Sequence, residues 1–153
     1  MSTSFTYSKY AKEVRAVEAH RSVITIDDAR RVLTQAPFAI WWGLRVDAVG
    51  YGTATVRLPA APHLLRPGGV LQGAGYDVVA DVAMWLAIMT RNGTDTPAVT
   101  IEMKTNFLRP TAADLVSTAT IVHPGRRLIF GTARTADSAG RFVAHSTLTY
   151  AQL

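Results

Sequence analysis

Two carboxylates stand in the most apolar stretch of the chain. Asp77 and Asp81 are the only charged residues between Gly73 and Met89. A carboxylate in apolar surroundings is costly unless it is paired, hydrogen-bonded or protonated, which makes such a group a candidate for chemistry. For Asp81 the spacing leaves two readings open: a base or nucleophile, or a structural carboxylate bonded to a neighbouring strand or subunit. Asp77 lies one helical turn earlier, and there the helix dipole favours an acid without any chemistry.

The segment from Gln72 to about Thr90 predicts the helix that carries both carboxylates. Its second half, VVADVAMWLAIM, is apolar on almost all sides, which is typical of a buried helix, and it is too long for a buried strand of about 4–8 residues. A short helix is predicted to begin at Asp27-Asp28 and to stop at Pro37, and residues 60–69 are predicted to form a loop. Alternation of apolar and polar residues predicts six strands, two between residues 44 and 58 and four within 98–108, 115–122, 127–136 and 141–151. One long apolar helix with six strands predicts an α+β domain whose sheet wraps the helix.

Composition limits the classes of protein that this chain can be. It has 153 residues, of which 48% are apolar and 18% charged, and no cysteine. A single folded domain over residues 27–153 is expected, preceded by a weakly patterned arm over residues 1–26. The lack of cysteine excludes a disulfide scaffold, a thiolate metal site and a cysteine nucleophile. Neither a membrane span nor the apolar core of a signal peptide is recognised, so a cytoplasmic location is expected.

The charge and the missing motifs narrow the partners further. A formal net charge of +5 favours anionic partners, but the basic residues are dispersed, and the densest clusters are Arg30-Arg31 and Arg126-Arg127. This favours a phosphorylated small molecule over nucleic acid. The four histidines lack the close spacing of metal ligands, so no metal site is expected. Neither a nucleophile elbow, a Walker loop nor a dinucleotide fingerprint is present.

The order of the predicted elements, together with several short motifs, resembles the hotdog fold, and most closely its PaaI-like group of acyl-CoA thioesterases. The resemblance covers about residues 37–151. In that group the helix opens with His-Gly-Gly and carries a carboxylate eight residues after the first of those glycines; here Asp81 falls eight residues after Gly73. Further motifs match on the later strands: Asn106-Phe107-Leu108-Arg109-Pro110, Gly125-Arg126-Arg127-Leu128, and Ala144-His145 leading to Thr149-Tyr150.

The resemblance implies hydrolysis of acyl-CoA thioesters to free acid and coenzyme A, with coenzyme A entering as part of the substrate and no separate cofactor. Asp81 would be the base or nucleophile. The Gly73 N–H at the start of the helix would stabilise the oxyanion, and the Gln72 amide, which can donate but cannot act as a base, would assist it. The substrate contacts expected on this basis are Arg66, Tyr76, Asp77, Trp85 and Arg109.

A distance argument adds a requirement for two chains. Eight residues along a helix rise about 12 Å, so one thioester group cannot touch both Gly73 and Asp81 of the same helix. If both act, they must come from two chains with antiparallel helices. The resemblance implies paired helices of this kind, and we therefore expect a homodimer or a homotetramer, with no nucleic acid and no membrane as partner.

Departures from the group keep two alternatives open. Gln72 stands at the position of the usual His, Ala74 at that of the second Gly, and Arg66 at that of a frequent Asn. Loss of the His leaves a non-catalytic acyl-CoA or fatty-acyl binding protein as the main alternative. A hotdog dehydratase is a further one, because His63 lies in a loop ahead of the helix. The position where those enzymes carry their acid is occupied here by Val78.

Overall fold

The computed structural model describes residues 20–153 of the chain. Most of the arm predicted for residues 1–26 therefore lies outside the described residues, and the division between that arm and a domain of residues 27–153 stays a prediction. Just before the first helix the chain is tied to the rest of the fold. The Val23 N–H donates to the carbonyl oxygen of Thr90 (2.8 Å) near the end of the long helix.

Residues 20–153 form three α-helices, α1 (Ile26–Gln35), α2 (Pro37–Trp42) and α3 (Gly73–Asn92). A capping box starts α1: the Thr25 side chain accepts from the Asp28 N–H, and the Asp28 carboxylate accepts from the Thr25 N–H. Pro37 ends α1 as predicted, but it also begins α2, because proline fits the first position of a helix, where no N–H is needed. Among residues 20–153 no helix is both long and apolar enough to cross a bilayer.

Six of the strands in residues 20–153 form one antiparallel sheet: β1 (Arg45–Gly50), β2 (Thr53–Leu58), β5 (Ala98–Phe107), β6 (Leu115–Pro124), β7 (Leu128–Asp137) and β8 (Phe142–Gln152). Their order in the sheet is β1-β2-β6-β7-β8-β5. Within the predicted loop, a single 3-10 turn over Pro62–Leu64 is followed by a short hairpin of β3 (Leu65–Arg66) and β4 (Val70–Leu71). All six predicted strands are present, whereas α2 and this hairpin were not expected.

The core lies between α3 and one face of the sheet. Along β2 and β7 buried residues alternate with more exposed ones, as a half-buried sheet requires. Most of α3 is buried against them, including Val79, Ala83 and Leu86, each with 0% of its surface exposed. The predicted α+β hotdog architecture, with an antiparallel sheet wrapped around one long helix, is confirmed.

Helix α3 and strand β7 approach each other most closely at Gly131. A Cβ atom added there would lie 2.5 Å from Met84 Cε and 2.6 Å from the carbonyl oxygen of Thr120. The Met84 side chain could move aside, but the backbone oxygen could not do so without disturbing the sheet. The glycine is therefore required by the backbone of the neighbouring strand β6 as well as by the close packing of α3.

We expect Gly131→Ala to lower the free energy of unfolding by about 1–3 kcal/mol, because it overpacks the contact between helix and sheet. Thr132→Ala is the control, since its side chain lies on the opposite face of the same strand and is half-exposed. Chemical denaturation of both variants measures the effect. Equal stability of the two variants would contradict the close packing at Gly131.

Candidate functional site

Asp81 lies on the one stripe of α3 that the sheet leaves half-exposed, together with Asp77, Val78 and Trp85. Its Oδ1 accepts hydrogen bonds from the Tyr150 hydroxyl (2.7 Å) and from Thr100 Oγ1 (2.8 Å). The Tyr150 hydroxyl also lies 2.9 Å from the carbonyl oxygen of Asp81. One carboxylate oxygen is thus held by two hydroxyl groups.

These two hydroxyls come from neighbouring strands. Thr100 on β5 and Tyr150 on β8 are direct partners in the ladder, so their side chains point to the same face of the sheet. The register shifts immediately afterwards, between Thr100 and Glu102, as in a β-bulge. Bulges of this kind redirect side chains and are common beside active sites.

The Tyr150 side chain is buried, with 2% of its surface exposed. Burial is the main cause that raises the pKa of its phenol, and the negative charge of Asp81 raises it further. The raised pKa means that the hydroxyl keeps its proton. Tyr150 therefore acts as a hydrogen-bond donor to Asp81.

The second carboxylate oxygen of Asp81 is available. Oδ2 accepts no hydrogen bond from residues 20–153, and within that range no buried side-chain oxygen lacks a partner. Oδ2 therefore reaches open space. The hydrogen bonds to β5 and β8 agree with the hypothesis that Asp81 has a structural role. The open Oδ2 agrees with the hypothesis that Asp81 is a base or nucleophile.

A cavity of about 300 Å³ opens beside Asp81. Apart from Asp81 its walls are hydroxyl-bearing or apolar, and they are formed by Phe38, Val82, Trp85, Ala98, Val99, Thr100 and Tyr150. The ring centroids of Phe38 and Trp85 lie 6.4 Å apart. The cavity thus combines one carboxylate with an apolar surface that suits an acyl or aryl group.

A second cavity of about 390 Å³ lies at the other end of the stripe, at the start of α3. It is lined by Arg66, Val70, Leu71, Gly73, Tyr76, Phe107, Leu108, Arg109 and Pro110. Among the described residues no group accepts a hydrogen bond from the Gly73 N–H. A free N–H at a helix N-terminus suits an anion or a developing oxyanion. The Arg66 and Arg109 side chains add positive charge at this cavity.

Gln72 is the N-cap of α3, and its Oε1 accepts a hydrogen bond from the Ala74 N–H. That contact leaves the side-chain NH₂ group of Gln72 without an acceptor among residues 20–153, and Gln72 lines neither of the two cavities. Arg109 is anchored by a bond from its Nη1 to the carbonyl oxygen of Phe142 (2.7 Å), and Tyr76 packs edge-on against Phe107.

The predicted site residues therefore fall into two groups. Arg66, Gly73, Tyr76 and Arg109 share the second cavity, while Asp81 and Trp85 share the first. Gly73 thus lines one of these two cavities and Asp81 the other, as the rise of the helix predicted.

Other candidates from the sequence lie elsewhere. Asp77 sits between the two groups, lines neither cavity and accepts no hydrogen bond from the described residues. His63 packs on Trp41 instead of lining the cavity at Asp81. Arg126 and Arg127 are exposed on the β6–β7 connection and line neither cavity.

Sequence reasoning assigned no role to Thr100, Tyr150 or Phe38. Tyr150 had been noted as part of a strand motif, but its partner on α3 depends on the pairing of β5 with β8. Phe38 lies in the unpredicted helix α2. The signal that could have found Tyr150 is its place on the buried face of β8, where a hydroxyl needs a partner. Among residues 20–153 no group of three or more His, Asp or Glu side chains is placed to hold a metal ion.

Comparison with known proteins agrees with this arrangement. The family model described as the thioesterase superfamily matches residues 68–144, half of the chain, from the turn before α3 into β8. A curated relative from Thermoplasma acidophilum, named as an esterase, is 22% identical over 125 residues and is matched over 81% of this chain and 94% of its own.

Solved structures of similar fold include a conserved protein of Pseudomonas aeruginosa, with 35% identity, a TM-score of 0.75 and coverage of 80% of this chain and 98% of that one. A thioesterase family protein of Silicibacter pomeroyi has 28% identity, a TM-score of 0.76 and coverage of 82% and 96%. A variant of the phenylacetic acid degradation protein PaaI of Thermus thermophilus has 28% identity, a TM-score of 0.70 and coverage of 77% and 100%.

The confirmed hotdog architecture, the carboxylate eight residues after the glycine that opens α3, and the family match over half of the sequence lead to one conclusion: this chain belongs to the thioesterase superfamily.

Proposed function

We propose that this protein hydrolyses acyl-CoA thioesters to a free acid and coenzyme A, in sites that two chains share. The observation that carries the proposal is the open Oδ2 of Asp81 beside an apolar cavity, on the same helix as the free Gly73 N–H. Thioester hydrolysis in general follows from the family, whereas the acyl-CoA substrate and the cytoplasmic location that suits it are part of the proposal.

The exposed edge of the sheet supports the two-chain arrangement. Among residues 20–153 strand β5 pairs only with β8, and the backbone groups on its other side are unpaired there, which favours association with another strand. It also exposes large apolar side chains, among them Ile101 with 54% of its surface accessible and Phe107 with 54%. Val99 and Thr100 border the cavity at Asp81, and Phe107 borders the cavity at Gly73. A second copy that docked along β5 would therefore contact both the cavity at Asp81 and the cavity at Gly73.

In the proposed reaction the acyl group enters the apolar cavity at Asp81 of one chain, and its carbonyl oxygen faces the Gly73 N–H of the other. Asp81 takes a proton from the attacking water, or attacks the carbonyl carbon itself to form a mixed anhydride, which water hydrolyses after coenzyme A has left. The Gly73 N–H and the Gln72 amide stabilise the negative oxygen. The carbon–sulfur bond then breaks and coenzyme A leaves as a thiolate. Arg66 and Arg109 supply the charge that would contact its phosphates.

A non-catalytic acyl-CoA binding protein is the second candidate, and it is favoured by Gln72. The side chain at this position caps the helix, and an amide cannot exchange protons as the usual His can. A thiol-release assay over a panel of acyl-CoA substrates separates the two functions. Release of many molecules of coenzyme A by each protein molecule supports the hydrolase. Saturable binding of acyl-CoA without release of coenzyme A supports the binding protein.

Substitution of Asp81 by Asn tests the base directly. An amide keeps the size of the side chain and an oxygen acceptor for Tyr150 and Thr100, but it can neither take a proton nor attack at neutral pH. We expect kcat to fall by about 10²–10⁴, with little change in KM or melting temperature. Steady-state thiol release and thermal unfolding measure both effects.

Asp77→Asn is the matched control, because it makes the same change one turn earlier on the same stripe. It should lower kcat far less than Asp81→Asn. A folded Asp81→Asn protein with nearly normal turnover would remove Asp81 from the mechanism. A loss of activity that merely followed a loss of folded protein would support its structural reading.

Cysteine cross-linking tests the shared site. Two antiparallel helices in which residue 73 of each chain faces residue 81 of the other must cross at the midpoint, residue 77. The chain has no cysteine of its own, so Asp77→Cys introduces one unique thiol per chain. We expect a short bis-maleimide to join two such chains, and light scattering of the native protein to show a dimer or a tetramer.

Ala139→Cys is the control for this experiment, since it places an equally unique thiol on the exposed β7–β8 turn, away from the stripe. It should give little cross-linked product under the same conditions. Equal cross-linking of both variants, or an active monomer at micromolar concentration, would contradict the shared site.

Trp85 is expected to limit the length of the acyl group. It lines the cavity at Asp81 and also a neighbouring one of about 390 Å³ at α1, so its side chain stands between them. Trp85→Ala should join the two spaces and raise the kcat/KM ratio of long to short acyl-CoA substrates by about tenfold or more. Trp42→Ala, at a half-buried indole that lines neither space, is the control. An unchanged ratio would place the acyl group elsewhere.

A further inference from the structure

We infer that Tyr150 and Thr100 are positioning residues that hold Asp81 by Oδ1 and so present Oδ2 as its one reactive oxygen. The inference rests on the proposed hydrolase function and adds to it. It assigns roles to two hydroxyl groups and distinguishes the two oxygens of the carboxylate.

The first step of the argument is geometric. An aspartate side chain can rotate about two bonds, and a carboxylate held at a single point can still present either oxygen. Here two donors on different strands reach the same oxygen, at 2.7 Å and 2.8 Å. Both lie within the ordinary distance range of a hydrogen bond that a hydroxyl group donates to an oxygen atom. Asp81 is therefore fixed in rotation as well as in place.

The second step concerns the donors. Thr100 is β-branched and has few side-chain rotamers, and it stands directly opposite Tyr150 in the ladder. Tyr150 is buried, and burial raises the pKa of its hydroxyl above the ordinary value. It therefore stays protonated and keeps donating. A tyrosinate could not donate and would repel Asp81.

The third step concerns competing partners. Asp81 is the one charged residue lining its cavity, and Tyr150 is the one other titratable group there. Within residues 20–153 no Arg or Lys forms an ion pair with Asp81. Asp77, the nearest acid along α3, forms no hydrogen bond with Asp81. The two hydroxyls thus account for every side-chain partner of the Asp81 carboxylate in the described part of the chain.

The two oxygens of the Asp81 carboxylate differ in chemistry because only one of them accepts hydrogen bonds from Tyr150 and Thr100. Oδ1 shares its electron density with two donors, so it is the poorer base of the two oxygens. Oδ2 can take a proton from water while the water oxygen bonds to the carbonyl carbon. The carbon–sulfur bond then breaks, the sulfur leaves as a thiolate, and the proton on Oδ2 is returned to thiolate or solvent. If Asp81 is instead the nucleophile, Oδ2 attacks the carbonyl carbon and the sulfur leaves as a thiolate. Water then hydrolyses the resulting anhydride to the free acid and regenerates the Asp81 carboxylate.

A double-mutant cycle tests the inference on the full chain. Tyr150→Phe and Thr100→Val each remove one hydroxyl with little change of shape, and Thr100→Ser restores the hydroxyl. Each is made in the native background and in Asp81→Asn, and thiol release and melting temperature are measured. In the native background we expect Tyr150→Phe and Thr100→Val to lower kcat by about 10- to 100-fold at nearly constant KM, because a misaligned base costs rate more than affinity.

Two further results are expected. Thr100→Ser should recover most of the activity lost in Thr100→Val. In the Asp81→Asn background the substitutions at residues 100 and 150 should change the remaining kcat little, because residues that act through Asp81 have nothing left to position.

Several results would overturn the inference. Equal losses of kcat in both backgrounds would mean that the hydroxyls act through the fold, and normal turnover of both hydroxyl-deletion variants would mean that they do not orient the base. If Tyr150→Phe fails to fold, the comparison of Thr100→Val with Thr100→Ser decides, since residue 100 is exposed. The absence of thiol release from the native protein would instead contradict the proposed function itself, and this inference with it.

Discussion

The burial of one apolar helix by one sheet is the constraint on which the rest of this structure depends. Twelve residues of α3 are buried, so the sheet must cover nearly the whole circumference of the helix. The part that the sheet leaves uncovered is a single stripe, and both helix carboxylates lie on it. Chemistry on this helix can therefore take place only along the stripe and beside the sheet edge that borders it. The position of the candidate site follows from the packing.

The same constraint explains how a carboxylate is tolerated so close to the core. Charge-assisted hydrogen bonds contribute about 1.5–3 kcal/mol each, and Asp81 receives two from hydroxyl groups. Tyr150 benefits as well, because its buried hydroxyl needs an acceptor and finds one in Asp81. Each group thus offsets the desolvation cost of the other, while Oδ2 remains accessible. A contact that stabilises the fold and a contact that orients a reactive group are here the same contact.

The sequence predicted those features that depend on local patterns. The apolar run around Asp81 predicted α3 almost to its ends, and alternation predicted all six strands of the sheet. The rise of a helix alone predicted that Gly73 and Asp81 cannot meet within one chain. In contrast, the hydroxyls that hold Asp81 depend on β5 lying beside β8, at a register that places Thr100 opposite Tyr150. Such a long-range pairing leaves no periodic signal in the sequence.

The elements that were missed have a common physical cause. In α2 a proline that normally ends a helix also begins one, and the resulting helix of six residues is too short for its periodicity to be recognised. The β3–β4 hairpin has two residues in each strand, and its turn requires positive φ angles at Gly68 and Gly69, which also signal an ordinary loop. Both elements line the cavities, through Phe38 and Arg66 respectively.

The distribution of charge along α3 is the physical reason for proposing a site that two chains share. The start of the helix carries the positive end of its dipole, a free N–H and two arginines, whereas the stretch around Asp81 carries a negative charge in an apolar cavity. A thioester needs both: an electropositive group for the carbonyl oxygen and a base for water. On one helix these lie about 12 Å apart, too far for one carbonyl group. An antiparallel partner removes that distance without any change within the chain, because the start of one helix then lies beside Asp81 of the other. In the proposed dimer the symmetry would complete both sites at once, because each chain would supply the start of its helix to one site and its Asp81 to the other.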